Sequence, residues 1–375
     1  MAPDLIRVAV VAVTLALAGC STIQIVQEPE LARVRVGAED AYAVPAKTVA
    51  PYVVGYALLA LAAYDDALYE RSRAKFRPIH APNRGEDGDA VAFERRSRQW
   101  LAPWVLAASY INHCEGAPGP RRDFGFGRRP GSCAESDSPR GRILDGLGLQ
   151  IWTHGSPHGR FCREIALSFR GTDRAQSDDW LSNFRSITRV MHLYDQYEQV
   201  QEHISGILDV VRDFSCYREG QTTILATGHS LGGGLAQQAA YADGRIRRVF
   251  AFDPSFVTGY YDLERPLREK NSAGLKIERI YEHGEVLAYA RLLMRNIYPP
   301  EACDPQIRHI RFNLISGGSI VEQHSLKALT AQLLVLAEGT AGRRTDDSFL
   351  PVSPLANGAT ARCRASKEAV AAVAQ

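Results

Sequence analysis

Apolar residues fall into two kinds of pattern along the chain, and the two alternate. Near the N-terminus an apolar run covers 8–18, and 21–45 then show no sustained periodicity. A helical stretch is predicted over 47–69. It contains the apolar run 49–63, interrupted by Pro51 and Gly55. That run is short of the ~20 residues a membrane span needs, so it reads as a buried core helix. A second helix is predicted over 94–112. Residues 115–142, rich in Gly, Pro, Ser and Arg, read as a surface loop. From there the pattern changes. Residues 148–153 and 164–169 read as neighbouring strands with a turn at Gly155-Ser156-Pro157. Residues 196–214 carry Val200, Ile204, Ile207, Leu208 and Val211 at helical spacing. Strands follow at 222–227, 248–252, 276–281 and 308–314, with helices at 231–241 and 325–336, and 339–375 read as a loosely ordered tail. Strands alternating with helices predict an α/β fold, with a mostly parallel central sheet flanked by helices. No internal repeat is visible.

Composition narrows the classes of partner. The chain has 375 residues, 45% of them apolar, and a formal net charge of +2. A core of useful size is available, and the charge balance gives no electrostatic case for nucleic acid. The first twenty residues differ in kind. Arg7 precedes an apolar run broken only by Thr14, which ends Leu17-Ala18-Gly19-Cys20. That is the layout of a secretory signal peptide over 1–19. Leu-Ala-Gly-Cys resembles the lipobox of bacterial lipoproteins, which implies lipidation of Cys20 and attachment to a membrane, with 20–45 as a tether. Ser21 behind the lipidated residue favours the outer membrane in a Gram-negative host. Six further cysteines remain, Cys114, Cys133, Cys162, Cys216, Cys303 and Cys363. That even number suits disulfides in an oxidising compartment, though the sequence does not select the pairing. Cys114 and Cys133 flank much of the 115–142 loop and are one candidate staple. Neither Cys-x-x-Cys nor His-Glu-x-x-His occurs, and the ten histidines do not cluster at ligand spacing, so no metal is expected.

The strongest motif is Gly228-His229-Ser230-Leu231-Gly232, followed by Gly233 and Gly234. A predicted strand precedes it and a predicted helix follows, the context a nucleophile elbow requires. Ser230 is then the candidate nucleophile, and Gly228 and Gly232 leave room for the sharp turn. A serine needs a base, an orienting acid and an oxyanion hole. In α/β-hydrolases acid and base follow the serine in that order. Three histidines qualify as base: His283, His309 and His324. His324 is favoured because it lies after the last strand and just before a helix, whereas His309 is held within a strand. Glu285 is the favoured acid, 55 residues beyond Ser230 and just after a strand and a turn. Asp253, at the end of another strand and before Pro254, is the alternative. For the oxyanion hole, one N–H comes from Leu231 and the second is assigned to Thr172, in Phe169-Arg170-Gly171-Thr172.

Phe169-Arg170-Gly171-Thr172, Asp179-Trp180-Leu181 and the Gly228–Gly233 segment together resemble the fungal-type, class 3 lipase family of α/β-hydrolases, over about 145–337. The resemblance implies an oxyanion hole at Thr172 and a base at His324. It also implies an acid in a pattern like Arg-Ile-x-x-x-x-Asp-x-Val. Arg279, Ile280 and Glu285 keep that spacing, with Glu in place of Asp and Val286 one position early. The hydrolase domain is expected over 46–338. Lipases of the family carry an apolar lid after the oxyanion strand, but 172–179 are polar here, which argues for an ester hydrolase before a triglyceride lipase. The expected activity is that of a lipase-like serine carboxylic-ester hydrolase acting on acyl esters of lipids, with no cofactor. A phospholipase A1, a thioesterase and a non-catalytic envelope lipoprotein are the alternatives. Oligomeric state is not legible.

Overall fold

The computed structural model describes residues 29–36, 41–64, 86–110, 147–155, 161–171, 194–285, 287, 304–315 and 323–341. Nine strands form one sheet in the order β2-β1-β9-β8-β7-β6-β5-β4-β3. They are β1 (Leu31–Val36), β2 (Tyr42–Pro45), β3 (Trp104–Ser109), β4 (Leu149–Gly155), β5 (Cys162–Phe169), β6 (Thr223–His229), β7 (Ile246–Phe252), β8 (Lys276–Glu282) and β9 (Gln306–Phe312). β5 to β9 are parallel, and each edge is closed by antiparallel strands, β1–β2 on one side and β3–β4 on the other. The helices are α1 (Ala46–Ala62), α2 (Glu86–Leu101), α3 (Tyr194–Arg212), α4 (Leu231–Ala242), α5 (Arg265–Ser272) and α6 (Leu326–Leu336). This is the mostly parallel sheet flanked by helices that the sequence predicts.

The central strands bury both faces, because successive side chains point to opposite sides. In β7, Phe250 and Phe252 join the core under α1 and α6, while Val249 and Ala251 join the core under α3 and α4. α1 is the apolar stretch 49–63 of the sequence, and it is buried against the sheet along most of its length. Among the described residues no helix is long and apolar enough to cross a membrane. Toward β7, β8 and β9, α1 joins an ionic network. Tyr52 donates to Glu278 Oε1 at 2.8 Å, Arg308 pairs with the same oxygen at 2.7 Å, and Arg248 donates to the Tyr52 hydroxyl at 2.7 Å. Burying a carboxylate is costly without such partners.

Two expectations are corrected. The part of 20–45 that is described is not a tether: Leu31–Val36 pairs with β9 and with Tyr42–Pro45. Its Leu-Ala-Arg-Val-Arg-Val sequence alternates, with Ala32 and Val34 buried. Six residues of alternation are easily lost beside the longer signals of the core. The sheet therefore takes in residues before 46. The helix predicted over 94–112 ends at Leu101, and Trp104–Ser109 is a strand. Pro103 explains the break: the residue before a proline is driven out of helical backbone, and proline has no N–H to continue the ladder. The surface loop 115–142, the signal peptide with Cys20, and nearly all of the 339–375 tail lie outside the described residues.

Of the six cysteines, Cys162 and Cys216 form a disulfide across 54 residues. It pins the start of β5 to the segment after α3, where Cys162 N–H also donates to Cys216 O at 2.7 Å. Cys114, Cys133, Cys303 and Cys363 lie outside the described residues. A loop of that length is worth about 2–4 kcal/mol of stability. The double replacement Cys162→Ser, Cys216→Ser is therefore expected to lower the unfolding free energy by about that amount in urea titrations. A midpoint unmoved by the replacement would contradict the link.

Candidate active site

The carboxyl ends of the parallel strands are level, because the register pairs Phe169 with Gly228, His229 with Phe252, Phe252 with Ile280 and Glu282 with Phe312. The residues that follow these ends gather along one rim, where sites form in open α/β sheets. Ser230 is the residue after β6 and caps α4 with φ 56° and ψ −122°. A side chain in that region is strained, by roughly 1–3 kcal/mol. The neighbouring glycines make the turn possible by close approach. A Cβ on Gly228 would lie 2.3 Å from Gly232 O, and one on Gly232 would lie 2.2 Å from Phe169 O. Ser230 Oγ then stands above the first turn of α4, whose unpaired N–H groups carry a partial positive charge.

The rim brings three of the predicted residues together. His324 Nε2 lies 3.1 Å from Ser230 Oγ, and His324 Nδ1 lies 2.9 Å from Glu285 Oε2. His324 is 2% exposed and Glu285 is fully buried, so neither competes with bulk water for this contact. The same oxygen of Glu285 accepts Leu287 N–H at 2.7 Å. Asp253 is placed beside the group but differently used. It has φ 39°, and its Oδ1 accepts Glu282 N–H at 3.0 Å, which fixes the end of β8 from which the acid loop departs. His309 is occupied in the sheet, its Nδ1 3.2 Å from the Tyr281 hydroxyl and its ring stacked on that of Tyr281. His283 donates its backbone N–H to Phe312 O at 2.8 Å. Leu231 opens α4 directly after Ser230. Thr172 lies outside the described residues, as do Asp179-Trp180-Leu181 and the polar stretch behind Thr172; Gly171 is the last described residue before them.

Several residues with no positioning role expected from the sequence hold this arrangement. His229 Nε2 lies 3.0 Å from His324 O, and the two rings sit 4.7 Å apart. Gln323, oriented by its hydrogen bonds, donates to Gly284 O and His283 O at 2.9 and 3.1 Å, tying the histidine loop to the acid loop. Arg279, buried in β8, donates to Gln237 of α4 at 2.9 Å, and Gln237 donates to Gly233 O at 3.1 Å. The strand before Glu285 is thus bound to the helix that follows Ser230. A cation could in principle be held by one atom each from His229, Asp253 and His324, which lie within 4.8 Å of one another. Both ring nitrogens of His324, however, already face Ser230 and Glu285.

A family model described as a Tle-like phospholipase domain matches residues 146–252. That stretch runs from just before β4 to the end of β7 and includes Ser230, Gly228 and Gly232; it spans well under half of the chain. The match supports a lipase- or phospholipase-like hydrolase, and it leaves the fungal-type resemblance no further advanced. Among solved structures, acetyl xylan esterase 1 from Thermoanaerobacterium sp. is similar at 12% identity and a TM-score of 0.25, covering 51% of this chain and 80% of its own. That likeness is too distant to bear on substrate. No curated protein matches the chain.

One buried acid beneath the site titrates in an unusual range. Glu282, 1% exposed at the end of β8, accepts Leu314 N–H at 2.8 Å and Ile315 N–H at 3.2 Å on Oε1. Burial pushes its pKa from 4.5 up to about 8; the N–H groups oppose the rise and the nearby Asp253 carboxylate adds to it. The folded state therefore holds this proton more tightly than the unfolded chain. The stability this provides is complete below about 4.5 and is lost as pH rises through about 8. Glu282→Gln keeps the acceptor oxygen and never ionises. Between pH 6 and 9 the wild type is expected to lose roughly 4 °C or more of Tm relative to Glu282→Gln. Parallel Tm profiles for the two proteins would contradict the assignment.

Proposed function

We propose that the protein is a serine carboxylic-ester hydrolase, lipase-like, that acts on acyl esters of lipids through Ser230, His324 and Glu285. The observation that carries this reading is the unbroken contact chain from Ser230 Oγ through His324 to Glu285 Oε2, at 3.1 and 2.9 Å, on a strained elbow. Ser230 Oγ attacks the ester carbonyl carbon while His324 Nε2 takes its proton. Glu285 holds the ring through Nδ1–H and stabilises the imidazolium. The N–H groups of Leu231 and Thr172 receive the oxyanion, the region of the site where preorganised donors lower the barrier most. The C–O bond then breaks and His324 returns the proton to the departing alcohol. Water, activated by the same histidine, releases the acid and restores Ser230. Every proton in this cycle moves through His324, and no cofactor is needed.

Glu285 in place of the aspartate of the class 3 lipase pattern adds one methylene, and the 2.9 Å contact spans it. For the lipid class, phospholipids are the favoured substrate. The phospholipase-domain match supports this, and so does the polar sequence behind Thr172, which gives little packing gain on a triglyceride surface. The released products would be a fatty acid and a lysophospholipid. We further propose that the chain is exported and anchored to the bacterial envelope by a lipid on Cys20. The disulfide between Cys162 and Cys216 supports an oxidising compartment.

Ser230→Ala is expected to lower hydrolysis of a short-chain chromogenic ester by at least about 1,000-fold, with an unchanged melting profile. Retained activity would sink the assignment. Glu285→Gln is expected to cost about 100–10,000-fold in kcat, and Asp253→Asn markedly less. The reverse order would move the acid to Asp253. A panel of phospholipid, triglyceride and thioester substrates, scored by fatty acid release, tests the lipid class; a clear preference for triglyceride would overturn it. For the anchor, metabolic labelling with a palmitate analogue should mark the wild type in membranes, and Cys20→Ser should abolish both the label and the membrane association.

A further inference from the structure

Tyr64 lies just beyond the end of α1, far in sequence from every residue of the proposed mechanism. Its hydroxyl accepts Gly171 N–H at 3.0 Å and donates to His229 O at 3.0 Å. These two partners belong to the two halves of the oxyanion hole. Gly171 precedes Thr172, the proposed second donor. His229 precedes Ser230, whose own N–H donates to Phe252 O at 3.0 Å. The peptide group leading into the nucleophile is therefore held at both ends, by Tyr64 on its oxygen and by β7 on its nitrogen. The two halves are in contact elsewhere as well. A Cβ on Gly171 would lie 2.2 Å from the Tyr64 hydroxyl and 2.7 Å from His229 O, and one on Gly232 would lie 2.9 Å from Gly171 N.

We propose that Tyr64 is a positioning residue, its hydroxyl clamping the Gly171 end of the oxyanion arm onto the nucleophile elbow. This rests on the serine-hydrolase reading above. A hydroxyl offers one donor and two acceptor positions, so donation to a carbonyl and acceptance from an amide fix its direction. The Gly171 N–H is consumed in this contact, which turns that peptide toward Tyr64 and sets the start of the arm that carries Thr172. The ring adds packing, lying edge-on to His229 with centroids 6.0 Å apart. Stabilisation of an oxyanion depends on where the donors stand before the charge develops, so a loosened arm weakens the transition state more than the bound ester.

Tyr64→Phe keeps the ring and removes the hydroxyl. On a short-chain p-nitrophenyl ester, with active sites counted by fluorophosphonate titration so that unfolded protein is discounted, kcat is expected to fall about 10–100-fold with KM within about 2-fold. The inhibition constant of a trifluoromethyl ketone, which forms a tetrahedral adduct on Ser230, should rise by the same factor. The pH dependence of kcat/KM should keep its wild-type inflection, because the contacts of His324 are untouched. Tyr261→Phe, at an exposed position, should match the wild type. An unchanged kcat, a change confined to KM, or a fall in kcat with an unmoved inhibition constant would each overturn the clamp. If the wild type itself is not labelled at Ser230, the hydrolase reading fails and the clamp with it. If the wild type is labelled and Tyr64→Phe behaves identically, only the clamp fails.

Discussion

Ser230 sits in a backbone conformation that a side chain adopts only under constraint, and the surrounding structure is what supplies the constraint. Its N–H is bound to Phe252 O, and its carbonyl accepts N–H groups from Gly233, Gly234 and Ser255 at 3.1, 3.2 and 2.9 Å. Four hydrogen bonds on one peptide pair offset a strain of roughly 1–3 kcal/mol. They also draw in β7, the first turn of α4 and the segment behind Asp253. The glycines at 228 and 232 are needed because their backbones approach the elbow and the β5 end more closely than any Cβ allows. Relaxing this turn would move the serine oxygen away from His324, so the fold's central parallel strands and the site's chemistry depend on the same few contacts.

Charge is the second constraint. Glu285, Asp253 and Glu282 crowd the ends of β7 and β8, all within 1% of full burial. Three carboxylates in such a place could not all be ionised cheaply. The structure separates their tasks by giving each a different environment. Glu285 faces an imidazole and a backbone N–H, Asp253 accepts a backbone N–H at the close of β8, and Glu282 is raised to about 8 and so holds its proton at neutral pH. A neutral Glu282 spares Glu285 and Asp253 a third negative neighbour. The acid loop thereby combines one carboxylate aimed at the histidine with one acid that serves the backbone.

The sequence made the central elements readable because their signals are strong and local. Short runs of apolar, β-branched or alternating residues between helical stretches marked β5 to β9, and the glycine-flanked serine marked the β6–α4 junction. His324 and Glu285 could be chosen over His309, His283 and Asp253 from chain order and position relative to strands, and the structure brings the chosen pair to Ser230. The misses have equally local causes. Residues 31–36 alternate over six positions only, in a short strand next to the sheet's edge strand, and Pro103 cuts what otherwise looks like continuing helix. The contacts made by Tyr64, Gln323 and Arg279 were not legible. Each acts through hydrogen bonds to residues distant in sequence, and nothing in the composition around it announces the partners.

The family match and the geometry inform different halves of the molecule. The match ends at Phe252, so it covers the nucleophile elbow but neither Glu285 nor His324. The case for a complete hydrolytic site therefore stands on β8, β9 and the loop before α6, where no relative speaks. That half is tied to the matched half by specific contacts: Arg279 to Gln237, Glu282 N–H to Asp253, and His324 O to His229 Nε2. Each of these joins a residue after the match to one within or adjoining it, and each is buried. A chain that kept the elbow only as a relic of its fold would have no physical reason to hold His324 and Glu285 in line with it, since a buried ionisable pair costs free energy unless it is used or compensated. The alignment of that pair on Ser230 is accordingly the strongest argument against a purely structural role.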